Sequence, residues 1–141
     1  MKAKQILKKV MVFGTFDILH PGHLNFFKQA LSYGNYLIVV VARDKTVLEI
    51  KNKKPRYSER QRLNQVKLTG LADKVILGET RDKYALIKKI KSDIICLGYD
   101  QMYFTDKLND QLKEFKLKTK IIRLKPFKQF KYKTSILRNG K

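Results

Sequence analysis

Short, continuously apolar runs alternate along the chain with longer stretches whose apolar residues recur every three or four positions. The runs lie at 8–14 (KKVMVFG), 35–42 (NYLIVVVA), 73–78 (DKVILG), 92–98 (SDIICLG) and 118–124 (KTKIIRL). They are too short and too β-branched for helices, and four of them meet a glycine or a polar residue at their ends. Between them, 21–34 reads as a helix. Pro21 suits its first position, Leu24, Phe27 and Leu31 fall on one face, and Gly34 suits its stop. Residues 58–68 read as a second helix with Ser58 as cap, 82–91 as a third and about 103–116 as a fourth. The stretch 43–57 is the one long irregular connection, and its length suggests function.

Strand, helix, strand, repeated, predicts an α/β fold. Strands that are apolar throughout, with no alternation, belong to a parallel sheet covered on both faces. Right-handed crossovers then give a doubly wound, Rossmann-like sheet. Ligands in such folds bind beyond the carboxyl ends of the strands, near the switch in strand order. At 141 residues the expectation is a single domain over 1–141.

Composition narrows the setting. No apolar stretch approaches the roughly 20 residues of a membrane span. Lys8 and Lys9 interrupt the place where a secretion signal needs its apolar segment. The lone cysteine, Cys96, excludes an internal disulfide and a cysteine zinc site, and a reducing cytoplasm is the expected location. The 32 basic residues against 12 acidic give a net charge of +20. Such a field attracts polyanions, whether nucleic acid, nucleotides or phosphate esters. Residues 113–141 carry 11 of the basic residues and one acid, Glu114. A solvated lysine surface explains the same excess without any partner.

Residues 14–23, GTFDILHPGH, hold both histidines of the chain, His20 and His23. They leave the first strand and enter the first helix. Gly14 permits close approach of a ligand to the backbone, and a helix N-terminus offers N–H groups to an anion. Spacing of three places the two imidazoles on one side, where they can donate to phosphoryl oxygens and stabilise developing charge. Two histidines with no cysteine or third histidine nearby make a poor zinc site, and no nucleophile motif is present. By spacing alone, an anion site and a structural loop both remain open.

GTFDILHPGH resembles the signature of the cytidylyltransferase-like nucleotidyltransferases, which carry an HxGH motif after the first strand. The resemblance implies transfer of a nucleotidyl group from ATP or CTP to a phosphate ester, with release of diphosphate. It implies that His20 and His23 stabilise the transition state at the α-phosphate. Gly14, Thr15 and Phe16 would approach the nucleotide through their backbone, and Asp17 would orient the loop or organise the acceptor side. Mg²⁺ would bridge the substrate phosphates, and a homodimer is implied.

Three further stretches extend it. In KNKKPRYSERQR (51–62), four of the first six residues are basic. A solvated loop is the plain reading. Leaving the second strand, however, it puts Lys51, Lys53 and Lys54 on the GTFDILHPGH side, where they would neutralise triphosphate or acceptor phosphate. Arg62 offers a planar fork to phosphate. The small cytidylyltransferases have a similar lysine run before an arginine, which carries Lys51, Lys53 and Arg62 over. LGYDQ (97–101) brings Gly98 and Asp100 to a strand end, as a base or ribose site or as an ordinary turn. KYKTSILR (131–138) resembles the family's Ser/Thr turn that binds triphosphate, through Thr134 and Ser135. Within the family the chain looks most like the archaeal-type FAD synthases, which adenylylate FMN. Asn52 stands where that group commonly has glycine. Glycerol-3-phosphate cytidylyltransferase is the nearest rival, and a non-enzymatic nucleic-acid binder is the rival of another class.

Overall fold

A computed structural model describes residues 6–102 and 105–127 of the chain. Five strands form one parallel sheet: β1 Lys9–Gly14, β2 Tyr36–Val41, β3 Lys74–Leu77, β4 Ile94–Leu97 and β5 Lys120–Arg123. Their spatial order is β3-β2-β1-β4-β5. The chain winds outward from β1 to β3, then returns across β1 to start β4. The order therefore reverses between β1 and β4, and that is the switch point expected of a doubly wound sheet.

The two faces follow from the period-two geometry of strands. Val10 and Val12, Leu37, Val39 and Val41, and Ile94 and Cys96 pack into one cluster with Phe27, Ala30 and Val66. These last come from α1 Pro21–Leu31 and α3 Glu59–Leu68. Met11, Ile38 and Val40, and Ile95 and Leu97 face the other way. They meet Leu86 and Ile87 of α4 Ala85–Ile90 and Leu108 and Leu112 of α5 Leu108–Glu114. Both faces are covered, which is why the strands carry no polar alternation. Each large apolar side chain so buried contributes about 1.5–3 kcal/mol. No helix among the described residues is long and apolar enough to cross a membrane.

Two expectations change. The stretch 43–57 is not irregular throughout, because α2 Asp44–Lys51 occupies its first half. Thr46, Val47 and Ile50 are β-branched and disguise it. Tertiary contacts hold it instead. Val47 is buried, and Glu59 accepts the Asp44 backbone N–H at 2.9 Å. The helix ends at Asn52 in the left-handed region, φ 56°. Asparagine tolerates that region better than other residues with side chains, so it can end the helix where glycine commonly does. The segment before α5 opens with a short 3₁₀ turn, Thr105–Lys107, before the α-helix begins.

Candidate active site

β1 ends at Gly14, whose carbonyl accepts the Ala42 N–H at 2.9 Å. Two residues on, Phe16 takes φ 52°, an uncommon conformation for an aromatic residue. Its ring folds back over Gly14. A β-carbon there would lie 2.5 Å from the ring, so only glycine fits. The Phe16 ring is buried against Phe26 and Phe27 and meets His23 edge-on at 5.5 Å between centroids. The strained turn makes Phe16 the floor under a histidine.

His20 is the N-cap of α1. Its Nδ1 accepts the Gly22 N–H at 3.0 Å, while His23 Nδ1 accepts the His20 N–H at 3.3 Å. This is a capping box built from imidazoles, in place of the usual Ser and Glu. With both Nδ1 atoms accepting, the network assigns the proton of each neutral ring to Nε2. The rings stack with centroids 3.9 Å apart. A β-carbon at residue 22 would come within 2.8 Å of the His20 ring, so a side chain there would displace that ring from its capping position. Burial, then the neighbouring His20 and the Lys51 charge, push the His23 pKa down to about 4. His23 is therefore a neutral donor near pH 7.

On the β2 side Arg62 is fully buried. Its Nε donates to Tyr57 O at 2.9 Å, and its Nη1 to Thr15 O at 2.9 Å and Ala42 O at 2.8 Å. Its Nη2 pairs with Asp44 Oδ1 at 2.7 Å. The expectation that Arg62 offers its fork to phosphate is corrected here. Those donors already tie together the GTFD turn, the end of β2, α2 and the basic loop. Asp17 fastens that loop from the other side, accepting the Arg56 N–H at 2.7 Å and the Tyr57 N–H at 2.8 Å. Burial alone would raise its pKa, but these N–H groups and the charges of Arg62 and Lys51 leave it lowered. Lys51 lines the cleft between these elements, whereas the exposed Lys53 and Lys54 do not.

On the β4 side, Gln101 accepts the Gly98 N–H at 3.1 Å and donates to Phe13 O at 3.0 Å, stitching the GYDQ turn to β1. Arg123 of β5 donates from Nη1 to Gly98 O at 2.7 Å and Gln101 O at 2.9 Å. Gly98 and Asp100 thereby sit on the cleft wall. Gln29 holds Lys125, so that Lys125, Pro126 and Phe127 close the side nearest α1. Thr134 and Ser135 lie outside the described residues.

The cleft has a volume of about 940 Å³ and opens at the carboxyl ends of the strands, across the switch point. Gly14, Thr15, Phe16, Asp17, His20 and His23 all line it. Lys51, Lys83, Lys125 and Arg43 also line it, against Asp17, Glu79 and Asp100. Among the described residues, no three His, Cys, Asp or Glu side chains are grouped to hold a metal ion.

Residues 11–140 match the family model described as cytidylyltransferase-like. The chain belongs to the cytidylyltransferase-like family. It is a nucleotidyltransferase, as GTFDILHPGH implied. It is 42% identical over 118 residues to the FAD synthase of Methanohalophilus mahii, spanning 84% of this chain and 82% of that one. It is 41% identical over 127 residues to the FAD synthase of Archaeoglobus profundus, spanning 90% and 81%. A solved structure described as the lipopolysaccharide core biosynthesis protein of Thermoplasma volcanium superimposes with a TM-score of 0.80. It shares 36% identity and is matched over 86% of this chain and 98% of that one. Pantoate–β-alanine ligase of Francisella tularensis, at 18% identity, has the same fold, with a TM-score of 0.63 over 84% of this chain and 59% of that one.

Within this family frame, Gln101, Arg123 and Gln29 are residues that sequence reasoning missed. Arg123 sits in a strand and Gln29 in a helix, and neither belongs to a motif. The only signal was the Gln of LGYDQ, quoted for the aspartate beside it.

Proposed function

We propose that this protein is an FMN adenylyltransferase: FMN and ATP give FAD and diphosphate. One observation carries the chemistry. Two stacked imidazoles, both protonated at Nε2, stand at a helix N-terminus on a cleft that spans the sheet's switch point. The choice of acceptor is supported by the relatives named FAD synthase and by a cleft at the upper end of the ordinary range for ligand sites.

An FMN phosphate oxygen attacks the α-phosphorus of ATP in line. The bond from that phosphorus to the bridging oxygen breaks, and diphosphate leaves with the electron pair. His20 and His23 donate from Nε2 to the non-bridging α-phosphate oxygens, where charge builds in the transition state. Lys51 supplies positive charge beside them, and the positive end of α1 adds to it. Asp17 keeps the basic loop in place, and Asp100 accepts hydrogen bonds from the nucleoside of ATP. Among the described residues no side-chain cluster would hold Mg²⁺; bound with the substrate phosphates, it would supply neutralising charge to the departing diphosphate.

The test crosses ATP and CTP with FMN and glycerol 3-phosphate and follows diphosphate release. ATP with FMN should turn over at least tenfold faster than any other pairing, with FAD as product. CTP with glycerol 3-phosphate as the best pair would assign the chain to the rival reaction.

A further inference from the structure

The cleft has apolar shelves on both sides of the histidines. Ile18 and Ile50 are 51% and 41% exposed, and both line it on the β2 side. Tyr99 and Met102 are 57% and 73% exposed and line it on the β4 side. Tyr33, Leu48 and Leu68 are exposed away from the cleft too, but these four line one cleft around a polar centre, which suits a ligand with apolar faces.

The two shelves differ in their polar company. Ile18 follows Asp17 and Ile50 precedes Lys51, and the Lys51 charge acts on both Asp17 and His23. The Ile18 and Ile50 shelf therefore adjoins Lys51, a cation that lines the same cleft as the histidines. The carboxylate beside it, Asp17, is taken up by the Arg56 and Tyr57 N–H groups. It offers phosphate a charge and offers a ring only methyl and methylene groups. The β4 shelf carries Asp100, an acceptor for ribose hydroxyls or an exocyclic amine. A purine nucleoside needs such an acceptor. The dimethylbenzene edge of a flavin does not.

We propose that Ile18 and Ile50 form the platform for the flavin ring and determine the choice of acceptor. This rests on the FMN reading above. A glycerol phosphate has nothing to lay on the platform, so the two isoleucines discriminate by the area that a large ring covers.

The test is the double variant Ile18→Ser/Ile50→Ser, with Ile18→Leu/Ile50→Leu as the conservative partner. Leu48→Ser serves as a control, since Leu48 is 42% exposed on the same helix but does not line the cleft. KM is measured separately for FMN and ATP, and FMN binding is followed by quenching of flavin fluorescence. The serine pair should raise the KM and Kd for FMN by about tenfold or more and leave the KM for ATP within about twofold. The leucine pair and the control should stay near wild type. Unchanged FMN affinity in the serine pair, or an equal rise in both KM values, overturns the platform while FAD synthesis by wild type stands. Failure of wild type to make FAD from ATP and FMN overturns the underlying reading itself.

Discussion

Gln29 holds Lys125 by both ends of its amide. Its Nε2 donates to the Lys125 carbonyl at 2.9 Å and its Oε1 accepts the Lys125 N–H at 3.0 Å. Asn25 Oδ1 fixes the amide orientation at 2.7 Å. The pair spans 96 positions and sets the wall formed by 125–127 against α1. Gln29→Leu should cost about 1–2 kcal/mol in urea denaturation, for three hydrogen bonds of which the two to Lys125 are exposed. It should also raise the KM for substrates more than it lowers kcat, because the wall borders the cleft and carries no proton.

His20 combines two tasks, and they can be separated. His20→Ala removes both the N-cap and the Nε2 donor. His20→Asn keeps an N-cap acceptor and loses the donor. Both variants should lose about 10²–10³-fold in kcat. Only the alanine variant should also lose about 1 kcal/mol of stability, by denaturant titration. Normal turnover in either one would remove His20 from the chemistry.

His23 should titrate near pH 4 in an NMR pH series of the free protein. Because Lys51 helps hold it there, Lys51→Met should move the midpoint upward. The depressed pKa also sets a stability trend. Between about pH 6.5 and pH 4 the unfolded chain takes up a proton that the folded chain refuses. The His23 contribution is thus complete above 6.5 and is lost as pH falls toward 4. His23→Gln should flatten that part of the profile of Tm against pH.

Arg62→Met should destabilise the protein by about 2–4 kcal/mol, since the Tyr57, Thr15 and Ala42 carbonyls lose their donor together. Arg62→Lys should recover only part of this, because one ammonium lacks the fork that reaches carbonyls in several directions. If Arg62→Met matched wild type in chemical denaturation and lost only nucleotide affinity, direct phosphate binding would replace the staple role.

The architecture was legible because buried parallel strands need unbroken apolar runs, and five such runs separated by helical periodicity admit few arrangements. GTFDILHPGH was legible because its glycines, strained turn and imidazoles serve one another locally. α2 escaped because its own propensity is weak and Glu59, Arg62 and Val47 stabilise it from outside. The misreading of Arg62 has a related cause. A lone arginine after a lysine run looks the same whether its fork points to solvent or inward, and only the positions of the Thr15 and Ala42 carbonyls, far along the chain, together with that of Tyr57 distinguish the two. The +20 charge was the least informative feature, since most of that excess lies on scattered lysines.

Local patterns in the sequence thus determined the strands and the helix entrance, because each depends on residues close together in the chain, and the resemblance of GTFDILHPGH to a family signature supplied the class of bond formed. Tertiary structure decided the rest. It turned Arg62 inward, set Gln101 and Arg123 behind the GYDQ turn, latched Lys125 to Gln29 and left Ile18 and Ile50 uncovered beside Lys51. Each of these joins segments far apart in the chain, and the fold alone brings such groups within hydrogen-bonding or packing distance.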